Sequence, residues 1–235
     1  MKKVELKLDW CTYEAAKYAV LRWHYSRRMP HSKMARIGVW ENGVFIGVLL
    51  FGAGATNTLV KQYGLTCHEG CELLRVALGT HVTPVSRIVA IAIRMIKKQF
   101  PKMRLVVSFA DPERGHTGGI YKAGGWIFTG RSAASDEYIY RGRRWQGRSF
   151  RKGHKHLIGS TDVQVVKGSS KFRYLMPLDD DMLDRVKHLA KCYPTASEIQ
   201  TSGIIGNPAE KGRCNSDPDA LLVPENEIRT PHRER

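Results

Sequence analysis

Hydrophobic and polar positions change their period several times along the first 140 residues, and each change marks an element. Val4, Leu6, Leu8 and Trp10 alternate with polar residues, which predicts a strand with one buried face. Ala16, Val20 and Trp23 then recur at helical spacing behind Thr12, a capping residue, with Glu14 in the first turn. That helix ends at His24-Tyr25-Ser26, before Pro30. Ile37 to Trp40 and Val44 to Phe51 flank Glu41-Asn42-Gly43, a hairpin signal. Cys71 to Leu78 predicts another strand with Arg75 among apolar neighbours. Thr83-Pro84 reads as an N-cap with proline at the first helical position, opening a helix that is apolar almost all round from Ile88 to Ile96. Leu105 to Phe109 is a short continuous apolar run of the kind found in the middle of a sheet. Gly118 to Ala123 predicts a short helix, and Trp126 to Thr129 with Tyr138 to Tyr140 a final strand pair.

This order predicts a mixed α/β sheet with helices on both faces. Residues 1–140 form the expected core. In 141–176 ten Arg/Lys residues face a single acid, Asp162, which predicts a basic extension packed on that core. Residues 177–193 read as a short helix, and the Ser/Thr/Gly/Asn/Pro-rich 194–235 as a disordered tail.

Composition narrows the function classes. The chain has 235 residues, enough for one sizeable core and an extension. No apolar run approaches the about 18 residues of a membrane span, and the N-terminus lacks a signal-peptide core, which points to the cytoplasm. Five scattered cysteines read as reduced thiols; a metal at Cys67, His68 and Cys71 is the lesser reading, since no second pair of ligands follows at short spacing. The formal charge of +16 points to an anionic partner, nucleic acid ahead of membrane.

Two polar clusters stand out: His24-Tyr25-Ser26 at a helix end, and Ser108-Phe109-Ala110-Asp111 at the carboxyl end of a central strand, where open α/β sheets bind ligands. His24, Tyr25 and Asp111 could act as proton carriers and hydroxyl donor, or ligate a metal such as iron; the sequence leaves both open. Arg75 needs a partner, an acid such as Glu72 or Asp111, or an anionic ligand. Tyr121 either faces the same space or packs as an ordinary aromatic. Thr83, Ser86 and Arg87, around the start of the long helix, are candidates for holding an anionic cofactor. Arg27, Arg28, Arg141, Arg143, Arg144, Arg148, Arg151, Lys152 and Lys155, interleaved with Trp145 and Phe150, are candidate phosphate contacts on double-stranded DNA.

Five strings, in order, resemble the phage Mom family of DNA adenine-modification proteins: Trp23-His24-Tyr25-Ser26, Cys71 to Leu78, Thr83-Pro84-Val85-Ser86-Arg87, Ser108 to Pro112 and Gly118 to Gly124. The resemblance runs from about residue 5 to about 176. It implies a GNAT acyltransferase-like fold and carbamoylmethylation of adenine N6 in DNA, which shields it from restriction. It also implies a site lined by His24, Tyr25, Arg75, Asp111 and Tyr121, with iron as a cofactor; Ser108 joins on position alone. Acyl-CoA or another activated molecule would be the donor, and a homodimer is one possible state. A GNAT acetyltransferase acting on a protein or small amine, and a non-catalytic DNA-binding protein, are the alternatives.

Overall fold

The computed structural model describes residues 4–54 and 58–194. Strand β1 (Leu6–Trp10) leads into helix α1 (Tyr13–Trp23), whose first turn is capped by Thr12 Oγ1 accepting from the Ala15 amide at 3.2 Å. β2 (Met34–Glu41) and β3 (Val44–Gly52) form the expected hairpin. Its turn places Asn42 and Gly43 at φ 51° and 82°, left-handed values that Asn and Gly tolerate best. β4 (Gly70–Leu78), α2 (Val85–Gln99) and β5 (Leu105–Ala110) follow, then α3 (Gly119–Ala123) and β6 (Ile127–Arg131).

The chain then leaves the main sheet. β7 (Asp136–Tyr140), β8 (Arg143–Gln146) and β9 (Val163–Lys167) make a separate three-stranded sheet in the order β8-β7-β9, backed by α4 (Gly147–His154). Tyr138, Phe150 and Val163 are its buried centre. β10 (Phe172–Pro177) returns to the main sheet, and α5 (Asp180–Val186) follows. Asp179 caps α5 by accepting from the Met182 amide and also receives the Arg104 guanidinium.

The seven main strands run β1-β2-β3-β4-β5-β10-β6. Every pairing is antiparallel except β4 with β5. Alternation sorts side chains to two faces. Ile46, Leu49, Cys71, Leu73 and Val106 pack under α2 and α3 with Tyr121, Trp126 and Tyr174. Phe45, Val48, Leu50 and Ala77 pack under α1, and Leu105, Val107 and Leu175 under α5. The result is a mixed α/β sheet with helices on both faces.

Several sequence expectations change. The strand pair expected from 126–129 and 138–140 does not form: β6 pairs with β10, and β7 with β8 and β9. The core does not stop at residue 140, because β10 lies between β5 and β6 in the main sheet. What emerges from the core is an insert of roughly 132–171. α2 starts at Val85 with Pro84 at the cap position, and only its Ile88, Val89, Ala92, Ile93 and Ile96 side is buried. Thr83 does not cap it. The tail expectation for 195–235, and Cys214 with it, lies outside the described residues. Cys11, Cys67, Cys71 and Cys192 are free thiols.

Candidate active site

β4 and β5 are hydrogen-bonded only at Gly70, Cys71 and Glu72 with Leu105, Val106 and Val107. Beyond that point the two strands part, and their carboxyl ends open a cleft in the middle of the sheet. Leu73, the first residue past the last rung, would have an orphaned carbonyl. Ser108 Oγ donates to it at 3.0 Å, and the Tyr121 hydroxyl lies 2.7 Å from Ser108 Oγ. With the Ser108 proton committed to Leu73, Tyr121 is the donor to Ser108. Ser108 is fully buried and Tyr121 nearly so. Burial and the nearby Glu72 and Tyr25 push the Tyr121 phenol up to about 12, the Ser108 hydrogen bond opposing them. This pair stitches the parting strands.

The carboxyl end of α1 reaches the mouth of that cleft. His24 ends the helix and is buried, while Tyr25 is half exposed; their rings lie 4.3 Å apart, tilted by 33°. His24 Nδ1 accepts the Ser26 amide proton at 3.1 Å and has Ser26 Oγ at 2.8 Å. An imidazole accepting at Nδ1 carries its proton at Nε2. Burial, then the Arg75 and His116 charges, bring its pKa down to about 3. It is therefore a neutral Nε2–H donor.

Arg75 rises from β4 beside it. Its Nη1 donates to the Leu74 carbonyl at 2.6 Å, whereas Nε is buried with no partner. From β5, Asp111 accepts from the Glu113 amide at 3.1 Å and from Ser169 Oγ at 3.2 Å. The loop that follows brings His116 edge-on to Tyr25, with ring centres 4.8 Å apart. Burial lowers the His116 pKa, with Arg114 in the same sense and Asp111 against it. The Tyr25 phenol is raised by desolvation first and Asp111 after it, opposed by Arg75 and Arg114. These side chains share one electrostatic neighbourhood.

The structure thus brings His24, Tyr25, Arg75, Ser108, Asp111 and Tyr121 to one end of the sheet. Sequence reasoning missed His116, visible beforehand only as a histidine in a glycine-rich loop, and Ser169.

A family model described as the Mom protein family matches residues 5–195. The chain belongs to the Mom family. A curated relative, the methylcarbamoylase mom of Escherichia phage Mu, is 28% identical over 130 residues, which is 54% of this chain and 54% of that protein. The chain spans about half the length of that relative. Among solved structures, an aminoglycoside acetyltransferase, AAC(6')-Ib with coenzyme A and kanamycin, aligns with a TM-score of 0.48 at 9% identity, covering 78% of this chain and 99% of that one. An IAA acetyltransferase from Bacillus cereus aligns with a TM-score of 0.39 at 14% identity, covering 74% and 100%.

Two groups suggested by the family resemblance can be tested against these side chains. An iron held by His24, Tyr25 and Asp111 would bond His24 through Nε2, which requires the proton on Nδ1; the Ser26 amide points at that atom as a donor. Among the described residues no group of three or more His, Cys, Asp or Glu side chains is placed to hold a metal ion. With Nδ1 accepting the Ser26 amide, His24 as it stands does not offer Nε2 to iron. For an anionic cofactor at Thr83, Ser86 and Arg87, the buried Glu41 carboxylate already accepts the Val82 and Thr83 amides at 2.8 and 2.7 Å. Arg87 turns away to line a shallow cleft of about 370 Å³ with Val4, Glu5, Leu6 and Ile91. Thr83 and Arg87 thus stand in different surroundings.

Of the candidate phosphate contacts, Arg27 and Arg28 are exposed just past Tyr25. Arg141, Arg143, Arg144, Arg151, Lys152 and Lys155 are exposed on the insert. The side chain of Arg148 lies outside the described ones.

Proposed function

We propose that this Mom-family chain is a transferase that modifies adenine N6 in double-stranded DNA, as carbamoylmethylation, and so protects DNA from restriction. The observation that carries the reading is the convergence of Asp111, His116, Tyr25, His24 and Arg75 at the parted ends of β4 and β5, in a chain of charge +16.

Adenine N6 is a poor nucleophile because its lone pair is shared with the ring, so its proton must leave as the new bond forms. Asp111 is the acceptor in this reading: it is fixed by Ser169 and the Glu113 amide, and it neighbours His116, which can pass the proton on. The N6–carbon bond forms, the leaving group departs from the activated carbamoylmethyl donor with its electron pair, and the N6 proton goes to Asp111. Arg75, with a buried unpartnered Nε–H, and the Nε2–H of His24 face the negative charge that develops on the donor. The atom is out of reach in a stacked duplex, so the base is flipped out, at a cost of a few kcal/mol. The Tyr25 ring offers a stacking surface. Lys152 and Lys155, exposed on the insert, hold phosphates.

The test is Asp111→Ala. Expected is loss of the modified nucleoside with duplex affinity kept. Modification at the unaltered level would refute the role of Asp111.

A further inference from the structure

We propose that the β7–β8 hairpin is a DNA-engaging finger whose tip residue, Arg141, enters the minor groove next to the modification site. The proposal rests on the DNA reading above.

The described residues contain two two-residue hairpin turns of the same geometry, and they serve as each other's control. Glu41 pairs with Val44 across Asn42-Gly43, and Tyr140 pairs with Arg143 across Arg141-Gly142. The φ values match: 51° and 82° in the first turn, 50° and 69° in the second. Asn-Gly is what this turn demands, because Asn tolerates the left-handed region and Gly has no Cβ to clash. The first turn uses it. The second puts arginine in the position where a side chain is strained. Three non-glycine residues among the described ones have positive φ: Asn42, Arg27 and Arg141. Both arginines belong to the exposed basic set. Backbone strain held at an exposed position points to function.

The tip is also ordered for contact. The Arg141 guanidinium lies 5.2 Å from the Tyr140 ring centre, and that of Arg143 4.5 Å from the Trp145 ring centre. Stacking on aromatic faces fixes the plane of each guanidinium while leaving its N–H edges free. A flexible lysine suffices for a phosphate at any position; a stacked arginine on a strained turn specifies where the donors stand.

Position selects the groove. The base of the finger abuts the site, since Ser169, two residues past β9, donates to Asp111 at 3.2 Å. β7 runs from Asp136 at that base to Tyr140 at the tip. Five strand residues span ~17 Å between base and tip. N6 of adenine lies on the major-groove edge of the pair, and that groove is ~12 Å wide. A tip that reaches past it arrives at the adjoining minor groove, which is ~6 Å wide and admits a side chain but not a strand pair. Narrow A·T-rich minor grooves attract arginine through their enhanced negative potential.

The experiment uses the full chain and short fluorescent duplexes, A·T-rich and G·C-rich, titrated at several salt concentrations. The variant is Arg141→Asn, which restores the favoured turn and so should keep or raise the thermal midpoint. Expected is a loss of affinity of about tenfold on the A·T-rich duplex, a smaller loss on the G·C-rich one, and no fall in midpoint. Equal affinity of R141N and the parent protein would overturn the proposal. So would an equal loss on both duplexes, which marks an ordinary phosphate contact. If the parent protein shows no salt-dependent affinity for either duplex, the DNA reading fails before the finger is tested.

Discussion

Replacing Ser108 by alanine separates scaffold from chemistry at the parting of β4 and β5. The Ser108 hydroxyl is buried, donates to the Leu73 carbonyl at 3.0 Å and accepts from Tyr121 at 2.7 Å. Alanine leaves both of these buried groups without that partner. Each orphan costs about 1–3 kcal/mol, so the substitution should cost about 2–6 kcal/mol. Tyr121→Phe removes only the outer bond and leaves Ser108 donating to Leu73. That loss should be about 0.5–1.5 kcal/mol. For a domain of this size 1 kcal/mol moves the midpoint by roughly 2–4 °C, giving a drop of roughly 4–24 °C for S108A against roughly 1–6 °C for Y121F. In the double variant Tyr121 no longer brings a hydroxyl to orphan, so its cost should fall short of the sum of the singles. Thermal melts of the four proteins are the assay. The reasoning is refuted if S108A costs no more than Y121F, or if S108A keeps its midpoint and loses modification.

Two further predictions follow from the ionisable groups. His24 titrates near 3 in the folded chain, chiefly because it is buried, and near 6.5 when unfolded. Its contribution to stability is therefore complete above about pH 6.5 and is lost as pH falls toward 3; His24→Gln should flatten the acid side of the stability–pH curve, and an unchanged curve would contradict the assignment. For Glu41, burial raises the pKa, but hydrogen bonds from the Thr83 hydroxyl and the Val82 and Thr83 amides bring it below the usual value. Glu41→Gln keeps the shape and loses the charge assistance on two amides, which should cost about 1–3 kcal/mol in a denaturant titration; no loss would show that the loop before α2 does not depend on it.

The main sheet and the site were legible where local patterns and tertiary roles agree. Alternation in β1 and the Asn42-Gly43 turn marked the first three strands, and His24 and Asp111 were marked by standing at element ends. The second sheet was not legible, because Tyr138-Ile139-Tyr140 in β7 is a short apolar run like that of a core strand and only its partners distinguish it. β10 was hidden for the opposite reason: Phe172, Tyr174 and Met176 lie inside a run of cations, and charge density masked their period. Glu41 read as a turn residue, since its partners at Val82 and Thr83 are some forty positions away. His116 and Ser169 reach the site through loops, where no periodicity exists to announce them. The sequence showed Thr83-Pro84 as a cap; the structure gives the Thr83 hydroxyl to Glu41 instead.

The central claim is that this cleft modifies adenine in DNA. Mass spectrometry of nucleosides from plasmid DNA of cells making the intact chain tests it most directly. The account predicts deoxyadenosine carrying one added carbamoylmethyl group at N6 in the parent protein and its loss in Asp111→Ala. An unmodified adenine pool, with the parent protein abundant and folded, would contradict it.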